Sequence, residues 1–385
     1  MNLCIVTECA LARTHGTGAH ALRVFEGSGH PFFHFYLRRI QFGLSECPNS
    51  HLLEDVPWPW KRQRVANAVR RVLGKHWWAG DRLNHRRLSR LIRDEGYRAD
   101  AAYVIVARED HAAAAAQIVD VVGCPYVLHV VDLYHEDGLD PAAMPGFSRL
   151  IDGASSVLAL TDTIRDELTK FGRPDINLQL CFGQGPVPIA APPEPGGPLE
   201  IITVGAPYDT GARLLAEAWD RIKATWPAAR VRYVGKHFGM LPEAFRRIAD
   251  DCGYVSDAEY ERILASSHLA VLKGPWNMDC YGRFSLTSRI GDLTTAGLPI
   301  VSCAGPATAT GRFLDRLVPT AARAAGTAGE LVAGIEGLAG SPAAWAAASA
   351  AARRFAAEHF ELAALRQALF GRLHAATGGG RESVA

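Results

Sequence analysis

The segment that decides the fold begins as Leu269-Ala-Val-Leu-Lys-Gly274 and continues, after a polar stretch, as Ser285-Leu-Thr-Ser-Arg-Ile-Gly-Asp-Leu-Thr-Thr-Ala-Gly297 and Leu298-Pro-Ile-Val-Ser-Cys303. The first apolar run is typical of a buried parallel strand. Hydroxyl residues at the start of the second part and a glycine at its end predict a capped helix. The third part predicts the next strand. Such a strand–helix–strand unit indicates a parallel sheet covered by helices.

The same alternation of short apolar runs and longer amphipathic stretches extends through both halves of the chain. It predicts an α/β protein with two Rossmann-like domains. The predicted strands are Leu3–Thr7, Ala102–Val106, Tyr126–Val131, Val157–Leu160 and Asn177–Cys181 in the first half, and Ile201–Val204, Val231–Val234, Leu269–Leu272 and Pro299–Ser302 in the second.

A stretch dense in proline and glycine, Gly183–Pro198, separates the two halves and can hold neither a helix nor a central strand. We expect it to be an interdomain hinge. The predicted organisation is an N-terminal domain at 1–185, a linker at 186–198, a C-terminal domain at 199–350, a C-terminal helix at 351–377 and a disordered tail at 378–385.

Composition narrows the function classes. The chain has 385 residues, of which 48% are hydrophobic and 21% charged, and its net charge of +1 creates no general attraction for nucleic acid. Eight cysteines without a CxxC pair argue against a disulfide framework or a structural zinc site. No apolar run approaches the length of about 20 residues that a membrane span needs. We therefore expect a cytoplasmic protein, with peripheral contact at the inner membrane face as an alternative.

A candidate anion site lies between the two strands of the deciding segment. A loop with Gly282, followed by hydroxyl residues at a helix start, presents backbone N–H groups and the positive end of a helix dipole to a diphosphate. Arg283 and Arg289 can add charge-assisted hydrogen bonds. The alternative interpretation is an ordinary capped helix.

Two places in the first half are further candidates. Gly16-Thr-Gly-Ala-His-Ala21 matches a dinucleotide fingerprint only nominally, because residues 10–15 separate it from the first strand. It is either a ligand-facing glycine loop, with Gly16 and Gly18 in contact with ligand, or a flexible connector. At the predicted carboxyl end of a strand, Asp132 and His135 can orient a hydroxyl or act as its base, while a structural role is the alternative.

The segment from Trp58 to Arg98 is strongly basic and contains four tryptophans. A basic helix with tryptophans fits an anionic membrane surface or a phosphorylated acceptor. The alternatives are a solvated helix pair with its tryptophans in the core and a binding site for a nucleic acid strand.

Several segments, in order along the chain, resemble the GT-B glycosyltransferases of the GT4-like group. Gly253–Leu272 is similar to the segment "G-x-V-s-…-l-x-x-a-d-l-x-l" of that group, and Ser288–Val301 to "S-K/R-x-x-(D/E)-x-x-A-A-G-x-P-V-V". In the first half, Leu128–Leu133 resembles the strand end "H-x-x-D-L", and Leu158–Leu168 resembles "v-i-a-x-S-x-x-x-x-x-x-L". Val204-Gly205 resembles the opening of the donor domain.

This resemblance implies two domains that face each other across a cleft, with the C-terminal helix crossing back onto the N-terminal domain. It implies a hexosyltransferase-like enzyme, bacterial and cytoplasmic, that moves a sugar from a uridine- or guanosine-diphosphate donor to an acceptor hydroxyl. The nucleotide sugar is then a substrate and no cofactor is expected. The acceptor is a cell-envelope glycan, a lipid-linked sugar or a small natural product. A sugar-nucleotide epimerase of the same fold and a non-catalytic binding protein are the alternatives.

By the same resemblance, the catalytic candidates are Asp132, His135 and Arg283. The implied donor-binding residues are Gly16, Gly18, Gly205, Lys236, Tyr254, Val255, Lys273, Arg283, Ser285, Leu286, Thr287, Ser288 and Arg289.

The chain departs from the group where donor phosphates are bound. Gly205–Gly211 lacks both basic residues of the usual "G-R-x-x-x-x-K-G" loop, and the E-x7-E signature is also missing. A leaving diphosphate still requires positive charge, so Lys236, Lys273, Arg283 or Arg289 must supply it. The sequence has no Asp-x-Asp pair for a divalent cation and no P-loop motif, which favours a metal-independent transferase and excludes a P-loop NTPase.

Overall fold

The computed structural model describes residues 1–11, 16–36, 47, 49–52, 82–133, 138–180, 192–194, 197–205, 209–274, 280–317 and 322–378. Within these ranges the chain divides into two units, one comprising Met1–Phe182 with Ala363–Ala385 and the other Gly183–Leu362. Each unit is built on its own parallel sheet. The predicted linker 186–198 and tail 378–385 lie largely outside the described residues.

The first unit contains seven strands in the order β3-β2-β1-β4-β5-β6-β7. Its elements are β1 (Leu3–Thr7), α1 (Gly16–Phe25), β2 (Phe32–Tyr36), β3 (Ser50–Leu52), α2 (Arg82–Asp94), β4 (Ala101–Val106), α3 (Glu109–Val122), β5 (Tyr126–Val130), α4 (Pro145–Gly153), β6 (Ser156–Ala159), α5 (Asp162–Thr169) and β7 (Asn177–Leu178). Every residue of β1, β4 and β5 is buried, as the continuous apolar runs predict for strands covered on both faces.

The second unit contains six strands in the order β10-β9-β8-β11-β12-β13, paired in parallel. Its elements are β8 (Glu200–Val204), α6 (Asp209–Thr225), β9 (Arg230–Val234), a 3₁₀ turn (Phe238–Met240), α7 (Glu243–Arg246), β10 (Ala249–Gly253), α8 (Asp257–Ala265), β11 (Leu269–Leu272), α9 (Cys280–Phe284), α10 (Arg289–Thr295), β12 (Ile300–Ser302), α11 (Ala309–Leu314), β13 (Ala322–Ala324), α12 (Ala328–Ala339) and α13 (Pro342–His359).

The helix predicted over Ser285–Gly297 is shorter than expected. It begins only at Arg289, and Ser288 accepts no side-chain capping bond. A tertiary contact explains the difference, because the Thr310 hydroxyl accepts from the Thr287 N–H at 3.1 Å and donates to the Ser285 carbonyl at 3.2 Å. The predicted terminal glycine is confirmed, since Gly297 has φ +71°. The polar stretch predicted before this helix contains α9.

The C-terminal helix predicted over 351–377 is two helices, α13 and α14 (Leu362–Gly378). Between them Phe360 leaves the helical conformation, with φ −121° and ψ 6°. Its side chain is buried and packs 6.0 Å from the Phe313 ring and 5.9 Å from the Phe355 ring, measured between centroids. Burying this aromatic ring outweighs continuing the helix. From Ala363 onward, α14 belongs to the first unit.

Candidate functional site

The order of strands in the second unit creates a switch point at its centre. The chain passes from β8 outward to β9 on one side and returns to β11 on the other. In open parallel sheets, ligands bind at the carboxyl ends of the strands where the order reverses. Gly205 follows β8 at this edge, and Lys273 follows β11.

Tyr233, at the end of β9, ties this edge together. Its hydroxyl donates a hydrogen bond that is shared by two acceptors, the Lys236 carbonyl at 2.6 Å and the Gly205 carbonyl at 2.9 Å. Burial, with a smaller effect of the Asp251 charge, raises the pKa of Tyr233 to about 12, so the phenol remains a neutral donor. The position of the Gly205 backbone is therefore fixed by a side chain from the neighbouring strand.

Glycine is required where two strand ends approach each other. Gly205 has φ +97°, a left-handed conformation that other residues rarely adopt. A Cβ on Gly235 would lie 2.7 Å from the Gly205 carbonyl oxygen and 2.9 Å from the Tyr233 hydroxyl. A Cβ on Gly205 would lie 3.6 Å from the Arg289 side chain. Arg289 is thus placed directly beside the end of β8.

Arg289 is held by a buried acid. Its Nη1 lies 2.8 Å from Asp292 Oδ2, and the Tyr260 hydroxyl donates to the same oxygen at 3.2 Å. Burial opposes the charge on Arg289, but Asp292 outweighs it and raises the pKa of the guanidinium. The Arg289 side chain remains 28% exposed, so this fixed cation is open to a ligand.

An aromatic surface adjoins these cations. The Tyr254 side chain is 49% exposed, an unusual position for a large ring. The Lys236 ammonium lies 4.8 Å from the centre of this ring, within the range of a cation–π contact. Val255 follows and is half-buried. We call Gly205, Lys236, Tyr254, Lys273 and Arg289 the switch-point site.

Lys273 is the most deeply buried cation of the switch-point site, at 2% exposure. Its Nζ lies 4.2 Å from the centre of the Tyr233 ring. Burial lowers the pKa of Lys273 to about 7, and the nearby Asp209 charge opposes this effect.

The other predicted donor residues follow the site in sequence. Arg283 lies over the ring of its neighbour Phe284, 4.8 Å from the ring centre. Leu286 is buried, while Ser285, Thr287 and Ser288 are half-buried. Thr287 and Ser285 are bound to Thr310, as described above. Their role in donor binding remains a prediction.

Among the described residues, no group of three or more His, Cys, Asp or Glu side chains is arranged to hold a metal ion. None of the helices in the described ranges combines the length and the apolar character that crossing a bilayer would require.

Comparison with solved structures places this geometry in a known fold. The chain is similar to HepE from Anabaena, solved in complex with UDP and glucose, with a TM-score of 0.64 at 11% identity over 97% of this chain and 99% of that one. It is similar to sucrose-phosphate synthase from Thermosynechococcus elongatus, with a TM-score of 0.65 at 11% identity over 98% and 100% of the two chains. The chain has the GT-B fold. The predicted fold class is confirmed.

Further comparisons show either a weaker structural similarity or no match. The lipopolysaccharide outer core galactosyltransferase WaaB shares the GT-B fold, with a TM-score of 0.56 at 11% identity over 97% of this chain and all of that one. The sequence matches no protein-family model and no curated protein. At these identities the likeness extends to the GT-B fold alone.

In the N-terminal Rossmann-like unit of this GT-B fold, His129 has a structural role. Its Nδ1 lies 2.6 Å from the Tyr103 hydroxyl and its Nε2 3.0 Å from the Gln179 carbonyl. Burial is the main cause that lowers the pKa of His129 to about 4. Asp132 is half-buried beyond the end of β5, and the predicted His135 lies outside the described residues.

Gly16 and Gly18 lie in the first turn of α1, so the predicted glycine loop is helical from Gly16. The prediction of a loop was therefore wrong at this point, whereas ligand contact by Gly16 and Gly18 remains a prediction. The structure also brings in residues that the sequence predictions omitted, namely Tyr233, Tyr260 and Asp292. Asp292 falls at the (D/E) position of the motif resemblance, so a sequence signal existed for it.

Proposed function

We propose that the protein is a glycosyltransferase of the GT-B fold, transferring a hexose from a uridine- or guanosine-diphosphate donor to an acceptor hydroxyl without a metal ion. The observation that supports this most is the switch-point site. It places three cations, an exposed aromatic ring and a glycine with a positive φ at the edge of the C-terminal sheet where ligands of such sheets bind. The GT-B fold is compatible with this activity but does not establish it.

The cations of the switch-point site are suited to bind the negatively charged diphosphate of the donor. Breaking the bond between the sugar and the diphosphate leaves an additional negative charge on the leaving group, which positioned cations stabilise. Arg289 is held in place by its contact with Asp292, and Lys236 by its cation–π contact with Tyr254. They offer the positive charge that the glycine loop after β8 lacks.

The aromatic ring of Tyr254 is suited to stack against the nucleobase of the donor. Tyr254 presents about half of its surface to solvent and is backed by the Lys236 ammonium. A flat, exposed ring stacks against a nucleobase without requiring a particular base. The bases of uridine and guanosine can both stack on such a ring.

The acceptor side is proposed to involve Asp132 and His135. Asp132 follows β5 at the carboxyl edge of the N-terminal sheet, where a carboxylate can accept the proton of an attacking hydroxyl. Contact of the basic segment 58–98 with an anionic membrane belongs to the same proposal. In its described part, Arg90 and Arg93 are exposed on α2. Such contact would suit a lipid-linked or cell-envelope acceptor in the cytoplasm of a bacterium.

Calorimetry with UDP, GDP and their sugar conjugates, together with mass spectrometry of copurified nucleotide, tests this proposal. A transferase binds one nucleotide sugar and releases the nucleoside diphosphate only when an acceptor is present. Epimerised donor in the absence of an acceptor would favour a sugar-nucleotide epimerase. Binding without any turnover would favour a non-catalytic module, and no binding of any conjugate would refute the assignment.

Replacing Arg283 with alanine tests its proposed role as the cation next to the leaving group. We expect turnover to fall by about 10²–10³, the typical effect of removing one transition-state donor. Arg213→Ala is the matched control, because Arg213 is exposed on α6 of the same unit and contacts only Glu217 at 4.0 Å among the ion pairs described. Equal kinetics for the Arg283 variant and the wild type would remove Arg283 from the mechanism.

A further inference from the structure

Lys273 is unusual among the cations of the switch-point site because its whole side chain is enclosed. A Cβ built on Gly211 of α6 would lie 2.9 Å from Lys273 Cγ and 3.2 Å from Lys273 Cα, so helix α6 packs directly against the stem. On the other side the ammonium lies over the Tyr233 ring at 4.2 Å, with the Phe245 ring at 6.0 Å. The amine is therefore fixed at the end of β11.

No residue that the structure describes accepts a hydrogen bond from Lys273 Nζ. A buried ammonium without an acceptor is costly, since it has lost its water and gained no anion in return. Two states resolve this cost. Either the amine is neutral, or an anion from outside the protein occupies the position opposite it.

None of the described groups packed around Lys273 forms a hydrogen bond or an ion pair with its amine. Tyr233 from β9 and Cys303 after β12 both have their pKa raised to about 12, chiefly by burial, so both remain neutral. Phe245 from α7 is apolar. Asp209 from α6 attracts the ammonium, yet the pKa of Lys273 still falls to about 7. In the free protein at neutral pH the amine is accordingly divided between its neutral and charged forms.

We propose that the Lys273 amine receives the donor diphosphate and takes up a proton as the diphosphate binds. This inference rests on the proposed function and deepens it, since it names the residue that couples donor binding to pH. The anion binds the protonated amine, so affinity is constant below pH 7 and decreases above it, by up to tenfold for each pH unit.

The test is calorimetric titration of the full-length protein with UDP-glucose and, in parallel, GDP-mannose at pH 6.5 and pH 8.5. Both phosphates of a nucleotide sugar are esterified, so the ligand itself does not titrate in this range. We expect affinity to fall at least tenfold between the two pH values. In buffers of different ionisation enthalpy at pH 8, we expect uptake of close to one proton per donor bound.

Two lysine variants separate binding from structure. Lys273→Met keeps the length of the side chain without the amine, and we expect it to bind at least tenfold more weakly at pH 6.5 and to take up no proton. Lys223→Met is the matched control, because Lys223 also lies near an aromatic ring of the same unit, 5.6 Å from the centre of Trp219. It should retain the affinity and the proton uptake of the wild type.

The outcomes distinguish the two levels of the proposal. Binding by the wild type with constant affinity and no proton uptake overturns the role of Lys273 while leaving the transferase assignment intact. Proton uptake by Lys273→Met that equals the wild-type value also overturns the role of Lys273 and leaves the transferase assignment intact. If Lys273→Met does not fold, the wild-type proton uptake decides by itself. Failure of the wild type to bind either donor refutes the proposed function together with this inference.

Discussion

Gly211 occupies the first turn of α6, where its missing side chain leaves space for the stem of Lys273. The Cβ of any other residue would lie 2.9 Å from Lys273 Cγ and 3.1 Å from Cys303 Cβ. Neither neighbour can move easily, because both belong to the buried ends of central strands. The sequence shows a glycine near a helix start, which is commonplace. Only the packing shows that it determines where a buried amine lies.

Gly211→Ala should therefore destabilise the protein by about 1–3 kcal/mol through overpacking, as measured by urea denaturation. Gly337→Ala is the matched control, since Gly337 is exposed in the interior of α12 and a Cβ there meets nothing within 4 Å. That substitution should stabilise by about 0.5–1 kcal/mol, because alanine is the better helix former. Equal stability of the two variants would contradict the packing argument.

At the scale of elements, the end of α1 depends on a residue distant in sequence. The Arg366 guanidinium, on α14, donates to the carbonyls of Val24 at 3.0 Å, Arg23 at 2.6 Å and Glu26. The carbonyls of Arg23 and Val24 belong to the last turn of α1, whose carbonyls have no partners within the helix, and Glu26 directly follows the helix. One planar side chain thus satisfies the end of the helix that begins with Gly16.

Arg366→Leu should cost about 1–3 kcal/mol of stability in the first unit, because two partly buried carbonyls and one exposed carbonyl lose their donor. Hydrogen exchange of the α1 amides measures this locally, and protection there should fall more than in the second unit. Arg366→Lys should recover only part of the loss, since an ammonium cannot reach three carbonyls in one plane. Arg354→Leu, at an exposed position on α13, is the control and should leave α1 protection unchanged.

At the scale of the whole molecule, the two sheets differ in how they should respond to acid. The first sheet contains two buried histidines that are hydrogen-bonded in the neutral form. His34 lies 2.7 Å from the Thr7 hydroxyl and 3.0 Å from the Ser50 hydroxyl. Burial lowers the pKa of His34 to about 3 and is the main cause that lowers the pKa of His129 to about 4.

The unfolded chain protonates these histidines near pH 6.5, whereas the folded chain does not until pH 3–4. Between pH 6.5 and pH 3–4, unfolding therefore takes up protons. The contribution of the two neutral histidines to the free energy of unfolding is complete above pH 6.5 and is lost as the pH falls. We expect the first unit to lose roughly 2–4 kcal/mol between pH 7 and pH 5. Hydrogen exchange of β4 and β8, corrected for intrinsic rates, measures both units at once. An equal loss in both would contradict this prediction.

Most of the strands were predictable, and three of the four that were missed share a physical reason. Leu3–Thr7 and Leu269–Leu272 were predicted with their observed bounds, because central strands of a parallel sheet are buried on both faces and read as continuous apolar runs. β3, β10 and β13 lie at sheet edges. Ala249-Asp-Asp-Cys-Gly253 exposes polar side chains and gives no such run. β2 is an aromatic run that was not predicted as a strand, although aromatic residues favour strands.

The sequence by itself determined the two parallel sheets and, through its motif order, the GT-B fold, because burial of central strands requires apolar runs that any such sheet must display. Tertiary structure decided the site. It brought Tyr233 to the end of β8, joined Tyr260 to the Asp292 carboxylate that holds Arg289, and enclosed Lys273 without an acceptor among the described residues. Hydrogen bonds and burial between residues far apart in the chain depend on three-dimensional proximity, which no local pattern of residue types encodes.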